Sequence, residues 1–208
     1  MAKRASKTTS KRTTAKIKAS NKAFASATPA KKRVMIAEDV LKMLATKKFT
    51  ACQGTYAHID GPRSVVTEKD IASDVDLRDI IRKPNVRCQV CALGITFLAL
   101  VDREDKLPIS ELGFYQAGSA GVDGGNVKDY LEDLFTRDQQ YLVESAFEIR
   151  EMGNSGTTRA ARNIVEDAIS FGRRFHHSET RLRGIMENIT KHKGTFVPSD
   201  MPKELVVD

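Results

Sequence analysis

The chain has 208 residues, 40% of them hydrophobic and 29% charged, with 34 Lys and Arg against 27 Asp and Glu and a formal net charge of +7. That composition suits one soluble domain with a sizeable core. The lack of Trp and an aromatic share of 6% argue against a nucleic-acid surface of stacked bases. The longest apolar run, Val90 to Val101, falls well short of the ~20 residues of a membrane span.

Residues 1–33 hold eleven Lys and Arg and no acidic residue, which leaves 23 basic and 27 acidic residues in 34–208. The arm is rich in Lys, Ser, Thr and Ala, and Ile17 and Phe24 are its only bulky apolar residues after Met1. So little apolar surface cannot offset the ordering entropy, and disorder is predicted over 1–33. A positive arm on a mildly acidic body points to a polyanion. The candidate nucleic-acid-binding residues are Lys3, Arg4, Lys7, Lys11, Arg12, Lys16, Lys18, Lys22, Lys31, Lys32 and Arg33. Each would release a condensed counterion on neutralising a phosphate, without reading sequence. In composition this arm resembles the tails of linker-histone-like proteins. Three readings compete: a solubilising extension, a transit peptide and a binder of acidic protein. Transit peptides favour Arg, and here Lys outnumbers Arg eight to three.

Residues 34–208 read as a single helical domain. The predicted fold class is mainly α: a compact bundle of five or six helices around a buried central helix at about 88–101, with at most one short β-hairpin. Ile36, Val40, Leu41 and Leu44 form the stripe of a first helix ending near Lys47-Lys48. Phe49 to Ile59 is strand-like, broken by Gly54 and closed by Asp60-Gly61-Pro62. A charged stretch from Val65 to Pro84 contains the apolar patch Leu77, Ile80 and Ile81. Cys88 to Val101 is apolar almost all round, the pattern of a buried helix. Asn126 is placed to cap a helix through Phe135, Thr136 one that ends at Gly153–Gly156, Thr157 or Thr158 the next, and Ser178 the last. That last helix has the clearest stop: Lys191, His192 and Lys193 at its negative end, Gly194 after it and Pro198 beyond.

Cys52, His58, Cys88 and Cys91 are the one set able to supply a zinc ion with three sulfurs and an imidazole. The competing reading makes Cys88, Cys91, Ala92, Ile95 and Ala99 a core stripe in which Cys acts as a small hydrophobe, and it is preferred because no second ligand pair has the usual spacing. Thiol redox at Cys88-Gln-Val-Cys91 is a weaker alternative, since no parallel-sheet pattern surrounds it. The glycines from Gly118 to Gly125 lack the Gly-Lys-Ser/Thr ending of a P-loop and read as a connector. Glu144 and Glu148, one turn apart, read as a solvated helix face. Arg159, Arg162, Arg173, Arg174, Arg181, Arg183, Lys191 and Lys193 make the last two helices the basic side of the body.

The segments RCQVCALG from Arg87 to Gly94, LVESAFE from Leu142 to Glu148 and RLRGIMENITKHKGTFVP from Arg181 to Pro198 together resemble a set of small uncharacterised α-rich proteins of bacteria and their phages. That resemblance implies a compact, phage-borne or bacterial domain of the cytoplasm over about 35–198, and it implies no activity, cofactor or site residue.

The residues therefore predict a non-enzymatic binding protein without a catalytic set. Its partners are nucleic acid, through the arm, and an unknown protein or a second copy, through the body. The alternatives are a phage or bacterial regulatory or structural module acting only through protein contact, and an enzyme with its site near Cys52, His58, Cys88 and Cys91. A membrane partner, a secreted disulfide framework and a cofactor are not expected, zinc being the one candidate weighed, and three cysteines without a secretory leader suit the cytoplasm.

Overall fold

The structure, a computed structural model, describes residues 21–61, 67, 69–70, 75–103, 107, 115–116, 119–122, 124–152 and 159–200; side chains are described in all of these except 115–116, 119–122, 124–125 and 159–161. The protein is mainly helical. Its helices are α1 (Pro29–Ala45), α2 (Leu77–Arg82), α3 (Ala92–Arg103), α4 (Gly124–Leu131), α5 (Arg137–Glu148), α6 (Arg159–Arg173) and α7 (Ser178–Lys191). Its strands are β1 (Phe49–Ala51), β2 (Ala57–Asp60), β3 (Arg87–Val90), β4 (Tyr115–Gln116) and β5 (Ser119–Val122).

The fold begins before residue 34, which corrects the expected boundary. Residues 21–25 form a helical turn, and Phe24 on it is buried at 2% exposure. Thr28 caps α1 by accepting from Lys31 N at 3.4 Å, and Pro29 occupies the first turn, where its missing N–H costs nothing. Arg33 donates from Nε to Gly194 O at 2.5 Å and from Nη1 to Leu134 O at 2.7 Å. One aromatic anchor and one guanidinium thus tie residues 21–33 to the body.

The strands exceed the single hairpin expected. They form one five-stranded sheet in the order β1-β3-β2-β5-β4, in which β1 runs parallel to β3 and the other neighbours are antiparallel. Because β3 lies between β1 and β2, the two halves of the Phe49–Ile59 run do not pair with each other. Their link, residues 52–56, crosses the end of β3 instead. The glycine-containing connector expected at 118–125 holds β5 and the start of α4.

The predicted helix at 88–101 is two elements. Arg87, Cys88, Gln89 and Val90 alternate exposed, buried, exposed, buried, the period of a strand, and the helix starts only at Ala92. A buried strand face followed directly by a buried helix reads as one apolar run. Every residue from Ala92 to Val101 is buried. Helix α1 packs on α7 and α3, α5 on α6, and α1, α3 and α7 each touch the sheet at β1 or β3. Phe97, Phe147, Phe171, Ile36 and Ile59 are among the largest fully buried side chains.

The helix ends follow their local chemistry. Thr136 caps α5 by accepting from Gln139 N at 3.4 Å. That helix stops at Glu148 because Ile149 turns left-handed at φ 57°, four residues before the expected glycines. Asn126 lies inside α4, which starts two residues earlier. The residue capping α7 is His177 rather than Ser178, without a side-chain hydrogen bond. The predicted stop holds: Gly194 adopts φ 97° and its N–H donates to Ile189 O at 2.8 Å. Thr157 and Thr158 lie outside the described residues.

Candidate functional site

Of the predicted phosphate contacts, Lys3, Arg4, Lys7, Lys11, Arg12, Lys16 and Lys18 lie outside the described residues. Lys22 and Lys31 are exposed on the surface. Lys32 sits over the Phe24 ring at 5.2 Å, as does Arg103 at the same distance, and Arg33 is committed to the two carbonyls above. Beside Asn21, the first described residue, a cavity of about 250 Å³ is walled by Asp39, Lys42, Met43, Arg82, Ala99, Asp102 and Arg103. Its charges pair with each other: Lys42 and Arg103 with Asp39, and Arg82 with Asp102.

The four residues proposed for zinc do not converge. Ile59 is the register partner of Cys88 and His58 that of Gln89. Cys88 and Ile59 therefore share the buried face of the sheet, while His58 and Gln89 share the opposite one. His58 instead pairs with Asp60 at 2.9 Å on that open face. Burial pushes the Cys88 thiol up to about 12, against the pull of Lys48. Among the described residues, no group of three or more His, Cys, Asp or Glu is placed to hold a metal ion.

The polar residues that do converge lie where residues 52–56 cross β3, and sequence reasoning assigned them elsewhere. Cys91 N donates to Thr55 O at 2.8 Å and Tyr56 O at 3.1 Å, which seats the crossing on the chain just before α3. Cys91 also caps that helix, its O accepting from Ile95 N at 3.1 Å and its Sγ from Gly94 N at 3.4 Å. Gly94 is required here, because a Cβ at this position would stand 1.4 Å from Tyr56 O.

Helix α5 covers the crossing with a polar face. Gln53 Nε2 donates to Phe147 O at 3.0 Å, and Gly54 N donates to both oxygens of the Glu148 carboxylate at 3.0 and 3.1 Å. The Tyr56 hydroxyl donates to Glu144. Lys128 Nζ forms an ion pair with Glu144 Oε2 at 2.9 Å and lies 5.7 Å from the centre of the Tyr56 ring. Glu144 and Glu148 are thus 3% and 9% exposed, which corrects the solvated face expected of them. They are buried because the crossing supplies an N–H and a hydroxyl that an isolated α5 lacks.

The electrostatics follow from burial. Desolvation is the largest cause raising the Glu148 carboxyl above its ordinary value, opposed by the Gly54 N–H. Desolvation first and the Glu144 hydrogen bond second hold the Tyr56 hydroxyl protonated. Burial, with the field of Glu148 and Glu144, pushes the Cys91 thiol up to about 12. The Arg181 guanidinium closes the far side of the cluster and is 4% exposed, so it leaves the basic surface expected of the last two helices. It donates from Nε to Gly172 O at 3.0 Å, from Nη1 to Phe147 O at 2.8 Å and from Nη2 to Phe175 O at 3.1 Å.

This arrangement clasps the crossing onto α5. Tyr56 is held neutral by its surroundings, Glu144 is engaged by Tyr56 and Lys128, and Glu148 is engaged by Gly54. Asn188, the start of a glycosylation triplet, is buried and bonded through its amide to Val197 N and O. No protein-family model matches the chain, nor does any curated protein or solved structure. None of the described helices is long and apolar enough to cross a membrane.

Proposed function

We propose that this is a non-enzymatic binding protein. Its basic N-terminal arm contacts nucleic acid without reading sequence, and its body, with the helices arranged about α3, binds a protein partner or a second copy of itself. The observation that carries the reading is charge segregation. Residues 1–20 contain seven Lys and Arg and no acid, and residues 21–208 balance at 27 of each sign. The engagement of Lys32 and Arg33 within the fold narrows the contact set to Lys3, Arg4, Lys7, Lys11, Arg12, Lys16 and Lys18, joined by the exposed Lys22 and Lys31. A cytoplasmic, phage-borne or bacterial setting belongs to the same proposal.

The test compares the full chain with a full-length variant carrying Gln at those seven arm positions. Both are titrated with random duplex DNA and with single-stranded RNA across a range of salt. Engagement of all seven cations gives a log K against log salt slope of about −6 on duplex DNA, which the variant loses. Equal binding by both proteins would move recognition onto the body. No binding by either would overturn the nucleic-acid reading and leave the module that acts only through protein contact.

A further inference from the structure

The parallel register of β1 and β3 runs toward a third cysteine outside the CxxC motif. The parallel ladder between β1 and β3 pairs Phe49 with Cys88, Thr50 with Gln89 and Ala51 with Val90. Extended one step past its last pair, beyond the ends of both strands, that register would set Cys52 beside Cys91. Cys52 N still donates to Val90 O at 2.8 Å, so the ladder's hydrogen bonding reaches this pair. Register partners on adjacent strands stand about one strand spacing apart, ~4.8 Å. A disulfide spans Cα separations of about 4.4–6.8 Å. Partners in a ladder also point to the same side of a sheet. Cys91 directly follows the last paired residue of β3 and is buried, while Cys52 directly follows the last of β1 and is partly exposed.

We infer that Cys52 and Cys91 form a reversible disulfide across the ends of β1 and β3, making the crossing at residues 52–56 a thiol-oxidation site for a low-molecular-weight disulfide such as oxidised glutathione.

The environments of the two thiols divide the roles. Cys52 is partly exposed, and its Sγ reaches only the neighbouring Gln53 O at 3.6 Å. It is the thiol an external oxidant meets first. Cys91 is buried under the turn and carries the fields of Glu144 and Glu148, so it reacts second, from within. The Cys52 thiolate attacks one sulfur of the disulfide and expels one small thiolate. Cys91 Sγ then attacks Cys52 Sγ, breaks the mixed disulfide and expels the second thiolate. The protons of the two protein thiols end on the two departing thiolates. Two protein thiols are oxidised and one small disulfide is reduced to two thiols. Cys88 takes no part, because its register partners are Phe49 and Ile59.

The test treats the reduced, folded full chain with oxidised glutathione, then measures free thiols, intact mass and the bridged peptides. The expected product keeps one of its three thiols, loses two hydrogens, retains no glutathione and yields a Cys52–Cys91 peptide pair. Cys88→Ser should give the same bridge. Cys52→Ser, at a partly exposed position, should fold normally and form none. A Cys88–Cys91 bridge, glutathione retained on Cys52 with Cys91 still reduced, or a chain left with all three thiols would each overturn the inference.

Discussion

Helix α7 places charged side chains near both of its ends, and the fold treats the two ends in opposite ways. At the start, Arg181 is buried, and its guanidinium is spent on three main-chain carbonyls from α6, the loop after it and α5. At the finish, Lys191 and His192 meet Asp200 at 2.7 and 2.5 Å in a partly solvated group. All three side chains are basic, yet only Arg181 is buried. Water competes for an exposed ion pair and leaves it worth little. Water has no such access to a buried guanidinium, so the acceptors it serves lose a donor that solvent cannot replace when it goes.

The strongest way to break the comparison is Arg181→Leu. It takes the guanidinium donor from Phe175 O, leaves Phe147 O with Gln53 Nε2 and Gly172 O with Phe175 N alone, and removes a positive charge from the neighbourhood of Glu148. Denaturant unfolding should show a loss of about 3 kcal/mol or more. Arg181→Lys should recover only part of it, because one ammonium cannot reach three carbonyls in the fork geometry. An unchanged midpoint in Arg181→Leu would mean that the guanidinium is not structural.

Acid titration sharpens the contrast, because the carboxylates at the two ends shift in opposite directions. Burial raises Glu148, so the folded chain holds its proton to higher pH than the unfolded chain does. The stability it contributes is fully present below the ordinary value of 4.5 and is lost as pH rises through the raised folded value. Glu148→Gln removes that dependence while keeping an acceptor for Gly54 N. Thermal melts of the variant should therefore vary less than wild type as pH rises from 4.5. A parallel pair of curves would remove Glu148 as the cause.

At the other end, Lys191 first and His192 second lower Asp200 below 3.8, so its contribution is present above that value and fades as pH falls. Asp200→Asn should leave the melting temperature unchanged at neutral pH and physiological salt, the smallest effect of the three. A clear drop would show that the Lys191–His192–Asp200 group holds the segment after α7 in place.

The same contrast decides what could be read from the residues. The helices announced themselves where an apolar stripe met a local stop. Ile36, Val40 and Leu44 marked α1, and Lys191 to Gly194 marked the end of α7, since periodicity and a left-handed glycine are properties of a few adjacent residues. The sheet was harder to read because its pairings are not local: β3 inserts between two strands that are neighbours in sequence. The same insertion hid the candidate site. Glu144 and Glu148 look like any solvated pair until Gly54 and Tyr56, some ninety residues earlier, arrive to receive them. The CxxC motif needed no distant partner to be read: Cys88 and Cys91 are both buried in the core, at 1% and 4% exposure, as the preferred reading expected.

The sequence by itself determined the charge segregation of the arm, the mainly helical class and the course of α1 and α7. Each follows from composition or short-range periodicity, which need no distant partner. Tertiary structure alone decided that the fold already includes Phe24, that Arg181 and the two glutamates are buried, and that β3 lies between β1 and β2. Burial and strand order depend on what packs against a residue, and here the deciding groups come from parts of the chain far apart in sequence.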